Sequence, residues 1–132
     1  MGLDLRNKFD FAGNGVIGTA TKNTATDIDF KITETNGAFL NGGKLLLQDH
    51  IWGDWFEIQV IDIDGVIYTA GTIVKNYIKK WYVHPNIDSL EIHAEYAGQV
   101  PKDLYLRCKY HSTSTTTDVK VAINYRLHIS ES

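Results

Sequence analysis

An all-β fold is the class this sequence predicts: an antiparallel β-sandwich of about eight strands, jelly-roll-like or Greek key. Three observations carry that expectation. Apolar and polar residues alternate with a period of two through several short stretches, most cleanly Thr26–Thr33, Trp55–Asp62 and Ser89–Glu95. Turn-forming groups such as Asn36-Gly37, Asn41-Gly42-Gly43 and Asp64-Gly65 punctuate the chain at short spacing. No convincing helix interrupts them, and short strands with frequent turns pack as sandwiches.

The 132 residues suit one domain with a sizeable core, and 43% hydrophobic against 22% charged residues is a globular composition. We divide the chain into an N-terminal arm, residues 1–15, and a single β-sandwich domain, residues 16–132. The arm has mixed charge, ends in AGNG and carries Phe9 and Phe11 as candidates for contact with a neighbouring subunit. It lacks the apolar core of a signal peptide, and Arg6 stands where myristoylation needs Ser or Thr, so synthesis in a cytoplasm without standard export is expected. No run of about 18 apolar residues is present, so no membrane partner is expected. The net charge of −3 argues against non-specific nucleic-acid binding.

Taken in order, Val16–Ala20 reads as a first strand. Thr26–Thr33 follows, with Ile28, Phe30 and Ile32 inward and Asp27, Asp29 and Lys31 outward. Ala38–Leu40 lies between two turn signals, and the apolar run Leu45–Leu47 suggests a strand, Lys44–Gln48, buried on both faces. The stretch Ile51–Gly65 is the organising one. A Gly-Asp turn opens it, an Asp-Gly turn closes it, and between them Phe56, Ile58 and Val60 face one way, Glu57 and Gln59 the other. Val66–Ala70 returns from the closing turn. Residues 71–83 carry a helical spacing, Ile73, Val74, Tyr77, Ile78 and Trp81, in β-branched and aromatic residue types. We favour strand or irregular structure for 71–76 and strand for 78–83. After Ser89–Glu95, two alternating stretches, Leu104–Tyr110 and Val119–Leu127, suggest a closing hairpin joined by residues 112–117. Two registers keep its apolar faces matched. One sets Lys109 against Lys120; the other, slipped by two, sets Lys109 against Asp118.

Chemistry-bearing motifs are sparse. Asp49 and Asp54 precede the central strand and Asp62 and Asp64 follow it, so roughly 26 Å of extended chain separates the pairs and they cannot share a metal ion. Aspartates bonding their own turn backbone are the expectation instead. His50, His84, His93, His111 and His128 lack zinc spacing and are expected at the surface. Cys108, the single cysteine, lies at an inward position and reads as a small buried hydrophobe. No nucleophile elbow, phosphate loop or metalloprotease motif occurs, and Glu57 and Glu91 belong to different strands. We therefore expect no enzymatic activity, no cofactor and no metal.

Aromatic supply is the distinctive feature. Trp52, Trp55, Trp81, Tyr82, Tyr96 and Tyr105 fall at expected loop ends or outward positions, where they serve either as caps of the core or as contact surface for protein or sugar. The outward residues Tyr105, Arg107, Lys109, Lys120 and Arg126 form a further candidate, a basic face.

GGKLLLQDHIWGDWFEIQVIDIDG, then KKWYVHP, then YAGQVPKDLYLRCKYHSTSTTTDVKVAINYRLH resemble small structural proteins of tailed bacteriophages, over about residues 42–128. That resemblance implies a β-sandwich subunit of the virion, of the capsid-decoration, head-fibre or tail-adaptor kind. It implies capsid or tail proteins as partners, a homo-oligomer, and synthesis in the bacterial host cytoplasm before assembly. The alternative is a lectin-like or receptor-binding module that takes a host glycan.

Overall fold

The computed structural model describes residues 15–68, 80–95 and 100–128. Phe9, Phe11, Tyr96 and the choice between strand and helix for 71–78 lie outside the described residues. Eight strands and no helix occur among them: β1 (Gly15–Ala20), β2 (Ala25–Lys31), β3 (Phe39–Gln48), β4 (Trp55–Ile61), β5 (Lys80–Tyr82), β6 (Ser89–Glu95), β7 (Tyr105–His111) and β8 (Val119–His128). They form two antiparallel sheets with strand orders β1-β8-β3-β6 and β2-β7-β4-β5. Every connection except β4–β5 crosses from one sheet to the other, which is the interleaved order of a jelly roll.

Period-two alternation explains the layering. Each sheet turns one face inward, and Ile28, Leu45, Leu47, Phe56, Ile58, Val60, Ile92, Leu106, Cys108, Tyr110, Val121, Ile123 and Tyr125 fill the space between them. β2, β4 and β6 run within a residue or two of the expected stretches. β3 is longer. The Asn41-Gly42-Gly43 group is not a turn between two strands but a bulge within one, where the register shifts against both β6 and β8. Gly43 lies close against the β8 backbone, and a Cβ there would lie 2.4 Å from the Asn124 carbonyl oxygen.

The expected closing hairpin does not form. β7 pairs with β2 and β4, and β8 pairs with β1 and β3, so the two stretches face each other across the core. Matched apolar faces fit a hairpin and a face-to-face stack equally well, because alternation says which side of a strand is apolar and not which strand lies beside it. Electrostatics favours the observed answer. Lys109 sits between Asp27 and Glu57, while Lys120 sits between Thr19 and Gln48, so the two lysines never meet.

The outer faces are less solvated than alternation suggests. Glu57 and Gln59 point away from the core, yet both are buried, as is Ile61 beside them. On the other sheet Leu46 and Ala122 are buried on the outer side, which bears out the two-sided burial read from Leu45–Leu47. After β4 the chain reverses through Asp62–Val66. The Asp62 carboxylate accepts from the Asp64 N–H at 2.9 Å and the Val66 N–H at 3.0 Å, and Ile67 then bridges back to Ile61.

Candidate functional site

Four connections, β1–β2, β3–β4, β5–β6 and β7–β8, gather at one end of the sandwich. Ala20 lies opposite Val119, Gln48 opposite Lys120, and Trp55 opposite both His111 and Tyr82. The aromatic candidates separate there. Trp81 stacks on Phe56, with centroids 5.3 Å apart and planes at 11°, and packs against the core. Trp55 is half-buried on the outer face of its sheet and stacks on His111 at 3.6 Å and 9°. Tyr105 is half-buried on that same face, opposite Ile61. Trp52 and Tyr82 are the exposed pair, at 65% and 68%. Trp81 is thus a core cap, Trp55 and Tyr105 belong to a sheet face, and Trp52 and Tyr82 form surface.

The exposed pair stands on a rigid base. Ile51–Asp54 makes a tight turn in which the Asp54 N–H donates to the Ile51 carbonyl at 3.3 Å and Gly53 takes φ of 95°. Asp54 is fully buried. Its carboxylate accepts from the Tyr110 hydroxyl at 2.8 Å, the Thr113 N–H at 2.7 Å, the Thr113 hydroxyl at 2.8 Å and the Ile51 N–H at 3.4 Å. Its own carbonyl takes the Val83 N–H at 3.0 Å. One side chain therefore ties the β3–β4 turn to the end of β7, to the β7–β8 connection and, through its backbone, to β5. Burial first, and then the bond to Asp54, push the Tyr110 hydroxyl pKa up, so Tyr110 remains a donor. This is a different role from the self-capping turn aspartate expected here, which Asp62 fills instead.

A second tie holds the β5–β6 connection. His50 is buried, against the expectation of a surface histidine, and its Nε2 lies 2.9 Å from the His84 carbonyl and 2.8 Å from the Ile87 carbonyl. Two carbonyl neighbours require Nε2 to carry the hydrogen. His84 in turn presents its ring edge-on to Trp52, with centroids 4.3 Å apart. Exposed Ile51 and Ile87 lie in the same two connections, so this end of the sandwich bears two aromatic and two aliphatic side chains on a hydrogen-bonded frame.

The basic strip does not survive as one face. Tyr105, Arg107 and Lys109 lie on one sheet and Lys120 and Arg126 on the other. Arg107 donates to Asp29 from Nε at 2.9 Å and Nη2 at 3.1 Å and pairs with Asp27 at 3.5 Å. The Asp29 hydrogen bond raises its pKa. Arg126 pairs with Glu91 at 3.2 Å. Local acids thus pair with both arginines, and Glu57, which stands 3.3 Å from His111, is on the sheet opposite Glu91.

A polar cleft of about 420 Å³ opens beside the β1–β2 and β7–β8 connections, lined by Thr19, Lys22, Asp49, Thr116, Thr117, Asp118 and Lys120. Among the described residues, no group of three or more His, Cys, Asp or Glu side chains is placed to hold a metal ion. Cys108 is wholly buried, and burial pushes its thiol pKa up, which leaves it a poor nucleophile. No family model, curated protein or solved structure matches the chain.

Proposed function

We propose that the chain is a structural subunit of a tailed-bacteriophage virion, a capsid-decoration or minor head or tail component that works through protein–protein contact. One observation carries the contact: Trp52 stands exposed on the β3–β4 turn and Tyr82 at the end of β5, beside segments that Asp54 and His50 tie together. Large aromatics on a preorganised frame bind without first having to be ordered, which is the character of interface hot spots. Ile51 and Ile87 extend the same surface with aliphatic area suited to another protein. The particle assignment rests on the resemblance of residues 42–128 to phage structural proteins, and the jelly-roll order agrees with it without deciding it.

Particles assembled from the genome that encodes the chain provide the test. Quantitative mass spectrometry of purified particles should find the chain at a fixed copy number. Trp52→Ala should lower that number at limiting expression, since losing a hot-spot aromatic costs about 2 kcal/mol, or roughly 30-fold in affinity. Absence of the chain from particles whose lysate contains it would end this reading. The lectin-like alternative has its own observation, the polar cleft with its three threonine hydroxyls, two carboxylates and two lysines. A glycan array with hits abolished by Asp118→Ala, in a chain absent from particles, would select it.

A further inference from the structure

Among the described residues four strands form the sheet edges: β1 and β6 in one sheet, β2 and β5 in the other. An edge presents unpaired N–H and C=O groups, and folded proteins guard such edges with charge, shortness or irregularity. β2 carries Asp27, Asp29 and Lys31, β5 has three residues, and β6 carries Glu91. β1, GVIGTA, has none of these guards. Its six residues contain no charge and no proline, and all six pair with β8 in unbroken register. Among the described residues nothing pairs with its other side.

The side chains on β1 sharpen the point. Ile17 lies on the outer face, 49% exposed. Its partner across the ladder is Ala122, whose partner in turn is Leu46, and both of these are buried. An apolar row thus crosses the outer face of the sheet and runs out at the β1 edge.

We infer that β1 is the seam of a homodimer. β1 of one copy pairs antiparallel with β1 of a second about a two-fold axis normal to the sheet, so the two four-stranded sheets become one of eight. In the register that completes the apolar row, Ile17 lies opposite the partner's Ile17. Backbone pairing alone would accept many strands, and charge is what selects a second copy. A two-fold contact sets residues near the axis against their own copies, so a charge there meets its like. Centred on Ile28, β2 would set Asp27 against an aspartate. β1 brings only Ile, Val, Gly and Thr to the axis, and its self-pairing carries no such conflict. This seam does not depend on the Trp52 surface, and either could fail alone.

Sedimentation equilibrium of the full chain tests it, with two variants. Wild type should be dimeric at high micromolar concentration. Ile17→Lys, at a half-exposed outward position, should weaken the dimer at least tenfold while the far-ultraviolet spectrum stays that of a sheet protein. Ile17→Cys should form an intermolecular disulfide in mild oxidant, because residues directly opposite in an antiparallel pair have Cα atoms about 4.5–5.5 Å apart, within disulfide reach. Native Cys108 is buried and cannot substitute, and Ile63→Cys, at a position more exposed than Ile17, should not cross-link at a comparable rate. A monomeric wild type overturns the seam. So does a dimer in which Ile17→Cys cross-links no faster than Ile63→Cys, whether or not Ile17→Lys folds.

Discussion

Replacing Asp54 with Ala removes the acceptor that the Tyr110 hydroxyl, the Thr113 N–H, the Thr113 hydroxyl and the Ile51 N–H share. The Thr113 hydroxyl can rotate toward the Trp52 carbonyl, 3.4 Å away, and the Ile51 bond is long. Two donors, Tyr110 Oη and Thr113 N, are then left without partners beside a new void. Each such group costs about 1–3 kcal/mol, so Asp54→Ala should lose about 3–5 kcal/mol. Tyr110→Phe removes a donor while the carboxylate keeps three others, and should cost about 1–2 kcal/mol. The double variant should fall short of the sum by about 1–2 kcal/mol, since the Tyr110 penalty cannot be incurred twice. Urea unfolding followed by tryptophan fluorescence measures all four corners of the cycle. Asp54→Ala within about 0.5 kcal/mol of wild type, the size of an ordinary surface substitution, would refute the claim that this carboxylate holds the end of the sandwich together.

Alkaline pH should destabilise the fold. Burial raises the pKa of Cys108 and Tyr110 above their ordinary values of 9.0 and 10.0, so the folded chain keeps protons that the unfolded chain releases. Stability is therefore complete below about pH 9 and falls above it by about 1.4 kcal/mol per pH unit for each group released. Tyr110→Phe should flatten the part above pH 10, and a urea midpoint constant from pH 8 to pH 11 would contradict this. Cys108 should resist alkylation at pH 8 in the native state and react once urea unfolds the chain; fast native labelling would show that the strand is not buried. Gly43→Ala sets a Cβ 2.4 Å from the Asn124 carbonyl, which forces β3 and β8 apart. Thermal denaturation should show a loss of about 1–3 kcal/mol, and a neutral result would mean that the bulge relaxes freely.

Strand positions and inward faces were largely legible in the sequence, because alternation is a local consequence of the pleat. Ile28, Ile58, Val60, Ile92, Leu106, Cys108 and Ile123 fall inward as their spacing requires. Strand partnership was not legible, because β7 and β8 alternate identically whether they lie side by side or face each other across the core. The Lys109–Lys120 conflict in one hairpin register was the available sign, and the acids on β2 and β4 resolve it. At the site, Trp52, Trp55, Trp81 and Tyr82 all read as end aromatics, but which of them is exposed depends on long-range packing. Asp54 looked like any Gly-Asp turn residue, since its partners, Tyr110 and Thr113, stand more than fifty residues away. His50 reads as a surface histidine for the same reason: its carbonyl acceptors belong to residues 84 and 87.

Oxidative footprinting of the tryptophans, on the free chain and on purified particles, tests the central claim most directly. Trp52, 65% exposed, should oxidise readily in the free chain and become protected in the particle, while Trp81, packed on Phe56, should be protected in both. Equal oxidation of Trp52 in the two states would contradict the proposal that this end of the sandwich is the contact surface.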